Sequence, residues 1–439
     1  MKSHKIVYIW EYLCYNTKVE MGIFVRIGKK SQNVHLGPGP RPNRTKEEEN
    51  MANMKISDNI IHIGASDNDL KLFESQYVLE NGMAYNSYLI KDEKIVIMDT
   101  IDRHVTDKWI ENLDKALEGR IPDYLVVSHM EPDHAYNMGV LANKYPDMKI
   151  VGNQITFNLL ANFFDSIDLT ARKVVVMEGD VLDIGKHKLQ FFMTPMVHWP
   201  EVMMTYEQTE KVLFSADAFG KFGSLDIEED WDCEARRYYF GIVGKYGDQV
   251  QLALKKLSNL EIETICPLHG PILKENLQYY INKYNTWSKY EPEDEGIYIA
   301  CSSIYGNTLN VAKKLEEILK QKTNKKIVVA DLTKEDWAEA IEDAFRYSKL
   351  VVASSSYNLG IFPPMEHFLR HLKDRNYQKR TVGIIENGSW APSAGRCMKS
   401  ILSEMKDIQI VEPLVTIKSV MKENDIENLN KLAEELLKD

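Results

Sequence analysis

The hydrophobic pattern changes character once along the chain. Between residues 60 and 285, apolar runs are short and bounded by turn residues. Residues 95–98, 124–127, 174–177, 189–193 and 211–214 are too brief for helices and rich in aliphatic and aromatic side chains, so they predict buried strands. Residues 108–117 space their apolar positions at helical intervals and predict an amphipathic helix. Gly179-Asp180 and Gly185-Lys186 provide turns. Residues 288–296, with Glu291-Pro292-Glu293-Asp294-Glu295, read as an acidic, proline-containing hinge and a domain boundary. Beyond it strands and helices alternate. Strands are predicted at 297–301, 327–330, 350–354, 381–385 and 408–415, and helices at 309–320, 334–347, 365–373, 396–405 and 425–438. Such alternation predicts a doubly wound parallel sheet, hence an α/β fold.

Length and composition narrow the class. A chain of 439 residues exceeds one ordinary core, so two domains are expected, at 54–290 and 296–439. Residues 37–49 read as a disordered linker, and residues 1–53 as an extension or misplaced start; Glu11 and Glu20 interrupt any basic targeting pattern. No apolar stretch approaches the ~20 residues that span a bilayer. Lys and Arg number 54 against 65 acids, a net −11, which disfavours nucleic acid as a partner. The five cysteines (Cys14, Cys233, Cys266, Cys301, Cys397) form no C-x-x-C pair, which excludes an in-chain thiolate iron centre and suits the reducing cytoplasm.

The densest chemistry lies at His129-Met130-Glu131-Pro132-Asp133-His134, directly after the 124–127 run. His129, Glu131 and Asp133 alternate along what reads as an extended segment, so their side chains reach one region, and His134 can turn toward a second metal. His198, Asp217 and His269 each follow a later strand. Asp217 could bridge two ions, with His198 and His269 completing one each. Any one of these alone is most often an ordinary satisfied side chain. The set, recurring at successive strand ends, points to a dinuclear centre on a rigid sheet edge. The acidic donor Glu131 among imidazoles favours iron and its higher oxidation states. Zinc, lacking redox chemistry, would serve hydrolysis.

With these motifs the chain resembles the metallo-β-lactamase superfamily, whose hydrolases typically carry H-x-H-x-D-H. It resembles more closely the flavodiiron proteins, which carry H-x-E-x-D-H on that αββα fold followed by a flavodoxin-like domain. The resemblance runs from about Met54 to the end of the chain. It implies that His129, Glu131 and His198 hold one iron, that Asp133, His134 and His269 hold the other, and that Asp217 bridges both. It further implies reduction of O2 to water, of NO to N2O, or of both. A binuclear zinc hydrolase with a flavodoxin-like accessory domain, or a plain electron carrier, are the alternatives. Glu201-Val202 after His198-Trp199-Pro200, and Ala135-Tyr136-Asn137 after His134, depart from the family's usual spelling and bear on the surroundings of the metals.

Three loops of the second half complete the picture. Ser302-Ser303-Ile304-Tyr305-Gly306-Asn307-Thr308 follows the first strand with hydroxyls and backbone N–H groups opening a helix, an arrangement for a terminal phosphate. It lacks the lysine of a P-loop and the G-x-G-x-x-G of a dinucleotide fold. Ser354-Ser355-Ser356-Tyr357-Asn358 and Asn387-Gly388-Ser389-Trp390 follow the third and fourth strands, where a doubly wound sheet binds its ligand. Tyr357 and Trp390 are placed to flank a flat ring. The flavodoxin-like resemblance implies FMN. It also implies rubredoxin or a similar external electron donor, and a head-to-tail homodimer or a dimer of dimers.

Overall fold

The computed structural model describes residues 55–438 apart from 166, 169 and 170. The extension expected at 1–53 lies outside the described residues.

Two sheets lie face to face in the first half. The strands β1 (Ile60–His62), β2 (Tyr88–Lys91), β3 (Ile95–Met98), β4 (Tyr124–Val126), β5 (Lys149–Gly152) and β6 (Lys173–Val175) stand in chain order, antiparallel up to β3 and parallel beyond it. The second sheet runs, also in chain order, through β7 (Val181–Asp183), β8 (Lys188–Met193), β9 (Met203–Glu207), β10 (Val212–Phe214) and β11 (Thr264–Cys266). Strand β3 shows why its run is wholly apolar. Ile95 and Ile97 pack with Trp109 and Leu113 of the helix Thr106–Leu117. Val96 and Met98 meet Phe191, Met203 and Phe214 of the opposite sheet. With both faces buried, a polar alternation has no place. Truncating the fully buried Leu113 to Ala would cost about 2–5 kcal/mol. On the far side of the second sheet, Leu213 and Ile265 pack against Val250 and Leu257. The layers are therefore helix, sheet, sheet, helix.

The second half is one mainly parallel sheet, in which the two-residue strand Gly360–Ile361 runs antiparallel against the end of the strand Tyr347–Tyr357. It comprises β12 (Asp294–Ser302), β13 (Lys326–Asp331), β14 (Tyr347–Tyr357), β15 (Arg380–Asn387), β16 (Ile408–Ile410) and β17 (Val415–Ile417). The order is β13-β12-β14-β15-β16, with β17 also on β15. Helices Asn307–Lys322 and Glu423–Leu436 cover one face, and Trp337–Arg346, Pro363–Asp374 and Ala394–Leu402 the other. This order reverses direction beside β12, which opens a crevice at the strands' carboxyl ends.

Several expected boundaries shift for local reasons. The single strand expected at 408–415 is two, pairing with opposite ends of β15, because Pro413 has no N–H to continue the ladder. The helix expected at 334–347 begins at Trp337, where the Asp336 carboxylate caps Ala338 N–H, and ends as Tyr347 enters β14. The strand expected at 174–177 is Lys173–Val175. The segment read as extended through Asp133 turns after Glu131 into one helical turn, Pro132–Ala135, with proline at its first position. The 288–296 hinge is pinned by Glu293, which meets Lys283 Nζ at 2.6 Å and accepts from Trp287 Nε1 at 2.7 Å.

Candidate functional site

Strand ends at one edge of the two facing sheets carry the metal-type residues. The loop after β4 is held by Asp99, which sits just past β3 at φ +54° and accepts from Ser128 N–H at 2.6 Å. From it His129 and Glu131 project on the extended part, and Asp133 and His134 on the helical turn. His198 comes from the β8–β9 connection, Asp217 from beyond β10 and His269 from beyond β11. All seven residues converge, in two groups. His129, Glu131, His198 and Asp217 offer ligand atoms within 4.8 Å of one another, as do Asp133, His134 and His269.

The atoms interlock. Glu131 Oε2 lies 3.1 Å from His129 Nε2 and 3.0 Å from His198 Nε2. Asp133 Oδ2 is 3.3 Å from both His134 Nε2 and His269 Nε2, and those two nitrogens are 2.9 Å apart. Asp217 faces both groups, with Oδ2 at 3.0 Å from His198 Nε2 and Oδ1 at 3.4 Å from His134 Nε2. The sequence left His134 free to turn toward a second metal; the helical turn brings it beside Asp133 and His269.

Two imidazoles are aimed by groups outside the cluster. His129 Nδ1 donates to Glu201 Oε1 at 2.9 Å, and the same oxygen accepts from Met130 N–H at 2.8 Å. His269 Nδ1 donates to the Ala84 carbonyl at 2.8 Å. Both contacts put the proton on Nδ1 and leave the Nε2 lone pair pointing into the cluster, as metal-bound histidines require. Glu201 had been noticed in the sequence only as a departure in spelling. Its role was not legible there, because its partner is 72 positions away across the two sheets.

The electrostatics ask for cations. Burial opposes charge on His198, yet Asp217 and Glu131 raise its imidazole to about 9. Burial likewise opposes ionisation of Glu131 and Asp217, but the surrounding histidines hold both carboxyls below the usual range. Both oxygens of Asp133 and of Asp217 are buried without a hydrogen-bond partner. Orphaned anionic oxygens and converging Nε2 atoms fit two metal ions. The walls are aromatic: Trp199 lies edge-on to His129 at 5.1 Å, and Phe73, Tyr85 and Tyr238 ring His269 at 5.6, 5.6 and 5.5 Å. At the rim Glu74 stands on a turn at φ +47°; partial burial and the Glu131 charge raise its carboxyl to about 7. No sequence signal pointed to it. Of the second departure in spelling, Asn137 is buried and donates to the Ile101 carbonyl at 2.7 Å, while Tyr136 is exposed.

The carboxyl ends of β12, β14 and β15 enclose a cavity of about 360 Å³, the size of a small-ligand site. It is lined by Ser303, Ile304, Tyr305, Asn307 and Thr308, by Ser355, Ser356, Tyr357 and Asn358, and by Asn387, Gly388, Ser389 and Trp390. Ser302 and Ser354, expected at the site, lie behind it, buried and joined Oγ to Oγ at 3.0 Å. Gly306 does not line it either; its φ of +87° makes the turn that opens the helix Asn307–Lys322. Leu359, Ala391 and Ser419 join the lining from outside the expected set. Ser419 arrives from a distant turn, donating its N–H to Asn387 Oδ1 at 3.0 Å. Trp390 is 90% exposed and Tyr305 92%. The Ser303 hydroxyl is buried and unpartnered at the start of that helix, which fits a phosphate acceptor.

Fold and site together resemble those of the flavodiiron oxidoreductases, a metallo-β-lactamase-like sandwich followed by a flavodoxin-like sheet. Known proteins agree. A family model described as ODP family beta lactamase matches residues 83–270. The chain is 28% identical over 347 residues to an anaerobic nitric oxide reductase flavorubredoxin of Vibrio vulnificus, covering 76% of this chain and 70% of that one. Among solved structures, the rubredoxin oxygen:oxidoreductase of Desulfovibrio gigas superposes with a TM-score of 0.80 at 25% identity, over 87% of this chain and 96% of that one. A flavo di-iron protein variant of Thermotoga maritima gives 0.77 at 28% identity, over 86% and 96%. FMN and two non-haem irons are the cofactors of this class, and the donor groups and the cavity fit them.

Proposed function

We propose that the chain reduces O2 to water, NO to N2O, or both, at two irons, with electrons relayed through FMN. The observation that carries this reading is the pair of donor groups, one containing Glu131 and Asp217, with Asp217 also facing His134 of the other. His129, Glu131 and His198 would hold one iron, Asp133, His134 and His269 the other, and Asp217 both. Bound there, the irons supply one-electron redox chemistry that zinc lacks. The protein's own part is positional. Glu201 and the Ala84 carbonyl fix the orientation of His129 and His269, the aromatic walls keep bulk water from the inner face, and Asp217 sets the spacing of the two groups. In the cavity, Ser303, Asn307 and Thr308 would bind the phosphate, and Tyr357 and Trp390 would flank the ring. Residues 54–290 and 296–439 act as metal and flavin domains. The names of the relatives support a rubredoxin-like external donor. A head-to-tail dimer would bring one chain's flavin to the other's irons. Charge and cysteine usage suit the cytoplasm.

The test is metal and flavin analysis of anaerobically purified protein, followed by O2 and NO consumption after chemical reduction. About two irons and one FMN per chain, with gas uptake, are expected. Stoichiometric zinc in a colourless protein would overturn the proposal, and the faster gas identifies the substrate.

A further inference from the structure

A second cavity, of about 440 Å³, lies between the second sheet and the helices Gly247–Leu257 and Leu277–Ser288. Leu213 of β10 and Ile265 of β11 form its floor, and Leu254, Leu257, Leu277 and Ile281 form its sides. No charged side chain lines it, and its polar residues are Ser258 and Gln278 at the outer end. The cleft is open at Ser258 and Gln278, and its inner walls of Leu, Ile and Phe present apolar surface of the kind that takes up xenon and other apolar gases.

Its direction gives it meaning. The floor strands β10 and β11 are the two whose carboxyl ends deliver Asp217 and His269. The lining includes Phe219, beyond the carboxyl end of β10, two residues past Asp217 and buried. That residue is held firmly. Its φ is +67°, its N–H donates to the Tyr284 hydroxyl at 2.6 Å, and its ring packs on Tyr284 at 4.3 Å between centroids. The next residue, Gly220, donates its N–H to the Asp217 carbonyl at 3.1 Å. A Cβ added there would come within 3.4 Å of His269 Cβ. One short turn thus separates the apolar space from both metal groups.

We infer that this cavity takes up small apolar gases from solvent and passes them along β10 and β11 toward Asp217, with Phe219 as its inner wall. The inference rests on O2 or NO being the substrate. A charged substrate would find nothing in this lining to bind it, whereas a diatomic gas needs only apolar surface. The route approaches the centre from behind, away from Glu74 and the open rim. Gas could then reach the centre while the rim is covered.

Crystals of the full chain pressurised with xenon provide a readout independent of turnover. Xenon is expected between Leu213, Leu254 and Ile281. Leu254→Trp fills the same space and is expected to raise KM for O2 or NO severalfold while kcat at saturating gas is unchanged. Leu254→Phe serves if the larger side chain is not tolerated. Absence of xenon from the cavity overturns the inference, and so does xenon there with unaltered KM in the filled variant. A wild-type protein that consumes neither gas instead sinks the functional reading, while the xenon result still decides the cavity.

Discussion

At the scale of single residues, the centre depends on where protons and lone pairs are placed. Glu201 is fully buried, and one carboxylate oxygen serves both His129 Nδ1 and Met130 N–H. Removing such a partner from a metal-bound histidine typically costs 10–100-fold in metal affinity. Glu201→Ala is therefore expected to lower iron affinity by about that factor with the fold retained by circular dichroism. Glu201→Gln, which can still accept through its amide oxygen, should lose less. Equal iron affinity in all three proteins would show that Glu201 does not aim His129. The seven donors were legible in sequence because each follows an apolar run, a local signal. Glu201 and Ala84 were not, since sheet stacking chooses the histidine's partner and no local pattern records it. Glu74 was hidden by its setting, a turn between strands of two residues each.

At the scale of elements, connections carry most of the chemistry. The helical turn at Pro132–Ala135 sends Asp133 and His134 to one group while His129 and Glu131, on extended backbone, serve the other. Sequence alternation implied one reach for His129, Glu131 and Asp133; the helical turn opened by the N1 proline carries Asp133 to the other group. In the cavity at the carboxyl ends of β12, β14 and β15 the strand ends were readable, but Ser419 was not, because its contact with Asn387 spans 32 positions. Another connection is sensitive to pH. His187 at the start of β8 places Nδ1 2.6 Å from Asp92 and Nε2 3.0 Å from Glu210, joining a turn of the first sheet to one of the second. Burial lowers its imidazole, but these carboxylates more than offset that and raise it above the ordinary value. Its stabilisation is therefore fully present below the ordinary histidine value of ~6.5 and fades as pH rises through the raised one. The melting-temperature difference between the wild type and His187→Gln should be larger at about pH 6 than at about pH 9. An identical difference at both would remove protonated His187 from the account.

For the molecule as a whole, the two halves share one core. Phe240 stacks on Phe345 with centroids 4.0 Å apart, and both belong to a cluster that runs from the outer face of the second sheet into the third. Arg236, 1% exposed, meets Glu342 at 3.1 Å and Glu293 at 3.3 Å across the same seam. The sequence showed a boundary at 288–296 but not this packing, since the residues involved look like ordinary interior positions of their own elements. The donor groups and the cavity at the carboxyl ends of β12, β14 and β15 therefore sit on one continuous frame.

On the proposed function, the carboxylate of Glu131 among imidazoles makes the centre an electron-transfer site and not a hydrolytic one. The most direct test is Glu131→His, reconstituted with iron and zinc in competition and assayed for reduction of O2 and NO. A shift from iron toward zinc and loss of gas reduction are expected, with FMN content unchanged. A variant that keeps iron and reduces either gas at the wild-type rate would contradict this role of Glu131.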